Sequence, residues 1–100
     1  MKKYHSILTI AGSDCSGGAG IQADIKTISA LGGYAASAIT AITVQNTCGV
    51  TDIHPVPASY VKAQIEAVMT DINPVAIKIG MINDVDIVSA IASCIKKYNP

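Results

Sequence analysis

At 100 residues, half of them hydrophobic and only 14% charged, the chain has the size and composition of one small domain with an apolar core, which rules out a disordered segment. Seven basic and seven acidic residues cancel, and neither Trp nor Phe is present, so a basic, aromatic nucleic-acid surface is excluded. Three widely separated cysteines, with no Cys-x-x-Cys pair and no Cys/His cluster, argue against zinc or redox chemistry and fit a reducing cytoplasm.

Tyr4 to Ile10 reads as a first strand. Lys2 and Lys3 ahead of Ile7 to Ala11 imitate a signal peptide, but the apolar run is too short for export and is closed by Gly12 and Asp14. The stretch Gly12 to Asp24, GSDCSGGAGIQAD, holds four glycines (Gly12, Gly17, Gly18, Gly20), and its backbone can turn sharply and approach a ligand closely. Ser13, Asp14 and Ser16 add short polar groups that can cap a helix or touch a ligand. Placed between strand and helix, such a turn is a ligand cradle, because the helix N-terminus presents unpaired N–H groups. Cys15 within it is either a reactive thiol or, more simply, a small loop filler.

The following helix sets Ile21, Ile25, Ile28 and Leu31 in one inward stripe and stops at Gly32-Gly33. Tyr34 to Val44 reads as a second strand, its Ala38 to Val44 run covered on both faces. The uncharged span from Thr27 to Thr51 is therefore helix end, turn and buried strand, with no membrane crossing. Gln45 to Thr47 ends the strand, Gly49 to His54 reads as a short extra strand or an extension, and Pro55 and Pro57 close it. A second helix, Ala58 to Asp71, turns Val61, Ile65, Val68 and Ile72 inward and ends before Asn73-Pro74. Val75 to Ile79 is a third parallel strand. Asn83 or Asp84 then caps a helix with Val85, Val88, Ile91 and Ile95 inward and Lys96-Lys97 at its end.

This alternation specifies an α/β chain with a mostly parallel sheet, and it resembles the front of a larger domain. Ligands of such sheets sit beyond the carboxyl ends of the strands, where Gly12 to Gly20, Gln45 to Gly49 and Gly80 to Asn83 meet. The nucleotide motifs fail there. Gly12 and Gly17 have P-loop spacing, but Gly18 follows where lysine is required. Gly18, Gly20 and Ala23 match G-x-G-x-x-A, yet lie too far past the strand, and the second strand ends in Gln45-Asn46 where an acid is needed for a ribose hydroxyl.

Three ordered segments, AGSDCSGGAGIQADIKTISALGGY, TAITVQNTCGV and KIGMI, resemble motifs of the hydroxymethylpyrimidine/phosphomethylpyrimidine kinases of thiamine biosynthesis, in the ribokinase-like superfamily. The resemblance implies a three-layer α/β/α sandwich, residues 1–100 being the N-terminal, substrate-binding part of its single domain. It implies transfer of the ATP γ-phosphoryl group, with Mg²⁺, to a pyrimidine hydroxymethyl group and then to the monophosphate. It also implies a cytoplasmic homodimer. Gly12 and Ala19 would bring backbone to the substrate, Gln45 would read the ring, Met81 would pack on it, and Asp24 would point toward the pocket. The amide of Gln45 suits that role, offering donor and acceptor together, although a strand-end amide also serves backbone groups. An acid at Asp24 is equally explained by the helix dipole, and Lys78 by an ion pair in preference to a phosphate. His5 and His54 are surface residues.

The family's aspartate base and ATP loops would lie beyond Pro100, so no catalytic residue and no metal ligand is expected in this chain, and alone it should be inactive. The sister pyridoxal kinases share the AGSDxSGGAG front and are the alternative, together with a non-catalytic ligand-binding module or a structural piece that pairs through its sheet edge. Gln45-Asn46-Thr47 favours the pyrimidine enzymes.

Overall fold

The computed structural model describes residues 5–82 and 84–98. Its elements are β1 (Ser6–Asp14), α1 (Gly20–Ala30), β2 (Tyr34–Asn46), β3 (Gly49–Pro55), α2 (Ala58–Asp71), β4 (Ala76–Ile79) and α3 (Val85–Tyr98). The sheet order is β3-β2-β1-β4. β1 pairs in parallel with β2 and β4, and β2 pairs antiparallel with β3.

Side chains of a strand alternate between faces, so β1 divides its residues between two layers of helices. Leu8 and Ile10, with Ala36 and Ala38 beside them on β2, join Val61, Ile65 and Met69 of α2 and Ile87, Ile91 and Cys94 of α3 in the main core. Full burial of each large aliphatic among them contributes about 1.5–3 kcal/mol. Thr9 points to the opposite face and donates to Asp24 of α1, whose Ile21 and Ile28 are buried. The result is the expected three layers, α1 over one face and α2 with α3 over the other.

The edges of the elements show how local chemistry places them. Beyond Pro55 no described strand pairs with the outer edge of β2, whose other edge stays on β1. There Gln64 of α2 takes over, its amide donating to the Ile39 carbonyl and accepting from the Ile39 N–H, both at 3.0 Å. One side chain thus replaces a missing strand. Asp84 Oδ1 caps α3 by accepting from the N–H groups of Asp86 and Ile87 at 2.8 and 3.2 Å. Asn83, the other expected cap, and Tyr4, the expected first strand residue, lie outside the described residues. Glu66 ties α2 to α3 through Lys97 at 3.2 Å.

Several expectations are corrected. β1 continues to Asp14, so Gly12, Ser13 and Asp14 belong to a strand with a register shift between Ala11 and Ser13. β2 likewise includes Gln45 and Asn46. Its Ala38 to Val44 run is covered on both faces only at the start, since Ile42 and Val44 stand half exposed on the ribbon with β3. Leu31 is the C-cap of α1 and is 83% exposed. Val85 and Val88 face outward, because α3 begins at the Asp84 cap and turns Ile87, Ile91 and Cys94 inward.

Candidate functional site

A cavity of about 550 Å³ opens at the carboxyl end of β1, β2 and β4. Gly12 and Ser13 line it from β1, Ala19 and Gly20 from the start of α1, Gln45 from β2, and Gly80 and Met81 from the loop after β4. Val50 and Ile53 of β3 form its apolar flank. The structure therefore brings together four expected site residues, Gly12, Ala19, Gln45 and Met81. Met81 is 85% exposed, an apolar side chain with no core to fill.

The fifth, Asp24, is placed elsewhere. It is not among the lining residues. Its Oδ2 accepts from Thr9 Oγ1 at 2.6 Å and from Lys78 Nζ at 2.9 Å, beneath the cavity wall. Burial pushes its acidity toward the neutral form, but the bonds from Thr9 and Lys78 and the charge of Lys78 prevail and hold its pKa below the ordinary value. Lys78 does line the cavity. The ion pair anticipated for Lys78 is there, and Asp24 is its partner.

The glycine turn is not the open anion cradle its composition suggests. Asp14 is 3% exposed, and its carboxylate fills the turn from within. Oδ1 accepts from the Ser16 hydroxyl at 2.7 Å and the Ser16 N–H at 2.9 Å, and Oδ2 from the N–H groups of Gly18 and Ala19 at 3.1 and 2.8 Å. The Ser16 side chain foremost, with these backbone donors, lowers the Asp14 pKa against the opposing effect of burial. Gly18 consequently turns away from the cavity, and Ala19 lines it without a spare N–H. Gln22 locks the same corner, accepting from the Asp14 N–H at 2.8 Å and donating to Ser13 Oγ at 2.8 Å.

Cys15 pins this turn to β2. Its thiol donates to the Gln45 carbonyl at 3.1 Å, and the Gln45 N–H points at its sulfur at 3.4 Å. The backbone of Gln45 is thereby held, leaving its side chain at the cavity. Thr43 Oγ1 lies 2.7 Å from the Ser13 carbonyl and 2.9 Å from Gln45 Oε1. One hydroxyl proton cannot serve both acceptors at once; given to the Ser13 carbonyl, it leaves Thr43 Oγ1 free to accept. A half-turn of the Gln45 amide then lets its NH₂ donate to Thr43 and presents its oxygen, with the second amide proton, to a ligand. Thr43 was not singled out from the sequence for this role; its spacing of two from Gln45 on one strand face was the available signal.

Comparison with known proteins places the chain in a family. The family model for phosphomethylpyrimidine kinase matches residues 14–100. A hydroxymethylpyrimidine/phosphomethylpyrimidine kinase from Haemophilus influenzae is 51% identical over 92 residues, 92% of this chain and 34% of the relative. That from Rhizobium meliloti is 55% identical over 91 residues, 91% of this chain and 34% of the relative. A crystal structure of phosphomethylpyrimidine kinase from Clostridium difficile superposes with a TM-score of 0.93 at 56% identity, over 96% of this chain and 42% of the other. The pyridoxal kinase from Staphylococcus aureus in complex with pyridoxal gives 0.84 at 36% identity, over 96% and 35%. The chain spans about a third of the length of these curated relatives. With its ribokinase-like fold and its matched motifs, it belongs to the phosphomethylpyrimidine kinase family.

Proposed function

We propose that this chain carries the pyrimidine-binding part of a single ribokinase-like domain that phosphorylates 4-amino-5-hydroxymethyl-2-methylpyrimidine, and then its monophosphate, from ATP in thiamine biosynthesis. The observation that carries the reading is the Gln45 amide, fixed at the cavity mouth by Cys15 and Thr43 and able to pair with a ring nitrogen and its neighbouring amino group. Gly12 and Ala19 then bound the ring closely, and Met81 closes over it. Asp24 acts from behind the wall, through Lys78.

Among the described residues no group of three or more His, Cys, Asp or Glu could hold a metal ion, so no step is assigned to Mg²⁺ here; it belongs to the ATP complex. The relative extends well beyond the 34% of its length that this chain matches; the aspartate base and ATP loops that the resemblance implies are assigned to that remainder, so the 100 residues alone are proposed to bind without turnover. A cytoplasmic homodimer completes the proposal. The half-exposed Ile42 and Val44 offer apolar surface that a second copy would cover. No described helix is long and apolar enough to cross a membrane.

Calorimetry with the hydroxymethylpyrimidine tests the reading. Two hydrogen bonds of about 1 kcal/mol each make Gln45→Ala weaken binding about thirtyfold, with thermal melting unchanged. Equal affinity for wild type and variant would overturn it. The likeness to the pyridoxal kinase supports a second reading, B6 phosphorylation, and a parallel titration with pyridoxal separates the two by which ligand binds more tightly.

A further inference from the structure

We infer that Lys78 is the specificity-determining residue that lets this pocket accept a phosphate monoester as well as the parent alcohol. The inference rests on the pyrimidine reading above and adds to it the group that distinguishes the two ligands.

Among the described residues, three charged side chains line the cavity, Asp14, Lys78 and Asp84. Both carboxylates are committed to backbone donors, Asp14 inside the glycine turn and Asp84 at the start of α3. Neither attracts an anion. Lys78 supplies the one cation of this lining. Asp24 takes one of its three ammonium protons at 2.9 Å, and the Lys78 side chain remains 49% exposed.

The surroundings suit an ammonium that is shared. Asp24 is held by Thr9 and kept ionised, so Lys78 meets the empty pocket as one half of a balanced pair. A phosphate dianion entering beside Lys78 makes the ammonium a bridge between two acceptors, and the charge-assisted bond forms without first building a site. The uncharged alcohol gains nothing comparable. Gly80 keeps the approach open: a Cβ there would stand 3.5 Å from Lys78 Nζ and 2.9 Å from the Ala11 Cβ.

The test is calorimetric titration of the chain with the hydroxymethylpyrimidine, with its monophosphate and with ATP. Lys78→Ala should lower affinity for the monophosphate about tenfold, which is about 1.4 kcal/mol, and for the alcohol less than twofold. Lys78→Arg should restore most of that loss. Because Lys78→Ala leaves Asp24 charged without its partner, the double variant Asp24→Asn/Lys78→Gln removes both charges together and should show the same selective loss. An equal loss for alcohol and monophosphate, an unchanged monophosphate affinity, or a loss confined to ATP would overturn the inference and leave the pyrimidine reading standing. A wild-type chain that binds neither pyrimidine overturns both.

Discussion

Gly20 offers a direct test of how the glycine turn is built. It opens α1 with φ of +61°, and a Cβ there would lie 2.2 Å from the Gly12 carbonyl oxygen and 3.2 Å from the Gly12 carbonyl carbon. Those atoms are backbone of β1, at the register shift between Ala11 and Ser13, which both pair with β2, so they cannot swing aside as a side-chain tip would. Gly32 is the matched control. Its φ is +86°, yet no atom of the described residues lies within 4 Å of its Cβ position. Gly32→Ala therefore costs only the left-handed backbone penalty, about 1 kcal/mol. Gly20→Ala pays the same penalty plus about 2 kcal/mol or more for displacing packed backbone. With a denaturant slope of about 1 kcal/mol per molar, urea midpoints should fall by about 1 M for Gly32→Ala and about 3 M for Gly20→Ala. Loss of folding by Gly20→Ala alone agrees with the argument. Equal midpoints for the two variants would refute it, because the contact with Gly12 would then have no energetic weight.

Gln64→Leu should cost about 2 kcal/mol in the same assay, since the Ile39 N–H and carbonyl lose their partners together, while Gln64→Glu should recover part of the loss through the N–H alone; a neutral Gln64→Leu would contradict the strand-replacement role. Asp14 makes stability depend on acid. Its folded pKa lies below the ordinary 3.8, so its contribution is complete above that value and disappears as pH falls through the folded pKa. The midpoint difference between wild type and Asp14→Asn should be greatest above about pH 5 and shrink below about pH 3; a difference independent of pH would remove the carboxylate's charge from the explanation.

The order and type of every described element were readable from periodicity and punctuation. What escaped was information held by neighbours. Val85, Val88, Ile91 and Ile95 form a helical stripe as good as the Ile87, Ile91 and Cys94 row that is buried, and both share Ile91. Only the phase set by the Asp84 cap decides between them, and each residue of error rotates the face by about 100°. Ile42 and Val44 look like core because their run is apolar, but burial requires helices above and below, and those stop near Thr40. Gln45 and Met81, by contrast, were legible as pocket residues through the family resemblance, and the structure sets both at one cavity. Gln64 gave no sequence signal, as its role exists only because β3 ends at Pro55.

Asp14 and Asp24 show why a glycine-rich turn cannot be equated with a phosphate cradle. Both are acids near the start of α1, and each occupies donors that an incoming phosphate would otherwise use. Asp14 occupies four donors on neighbouring residues, nearly out of contact with solvent, and to expel it a ligand would have to break all four bonds and unfold the turn that shapes the cavity. Asp24 holds one ammonium whose side chain is half in solvent, and that ammonium can add a second acceptor without releasing the first. The two partnerships therefore divide the work. The turn gives the pocket a wall whose buried carboxylate is fully hydrogen-bonded, and on the proposal above the response to a charged substituent falls to Lys78 on β4.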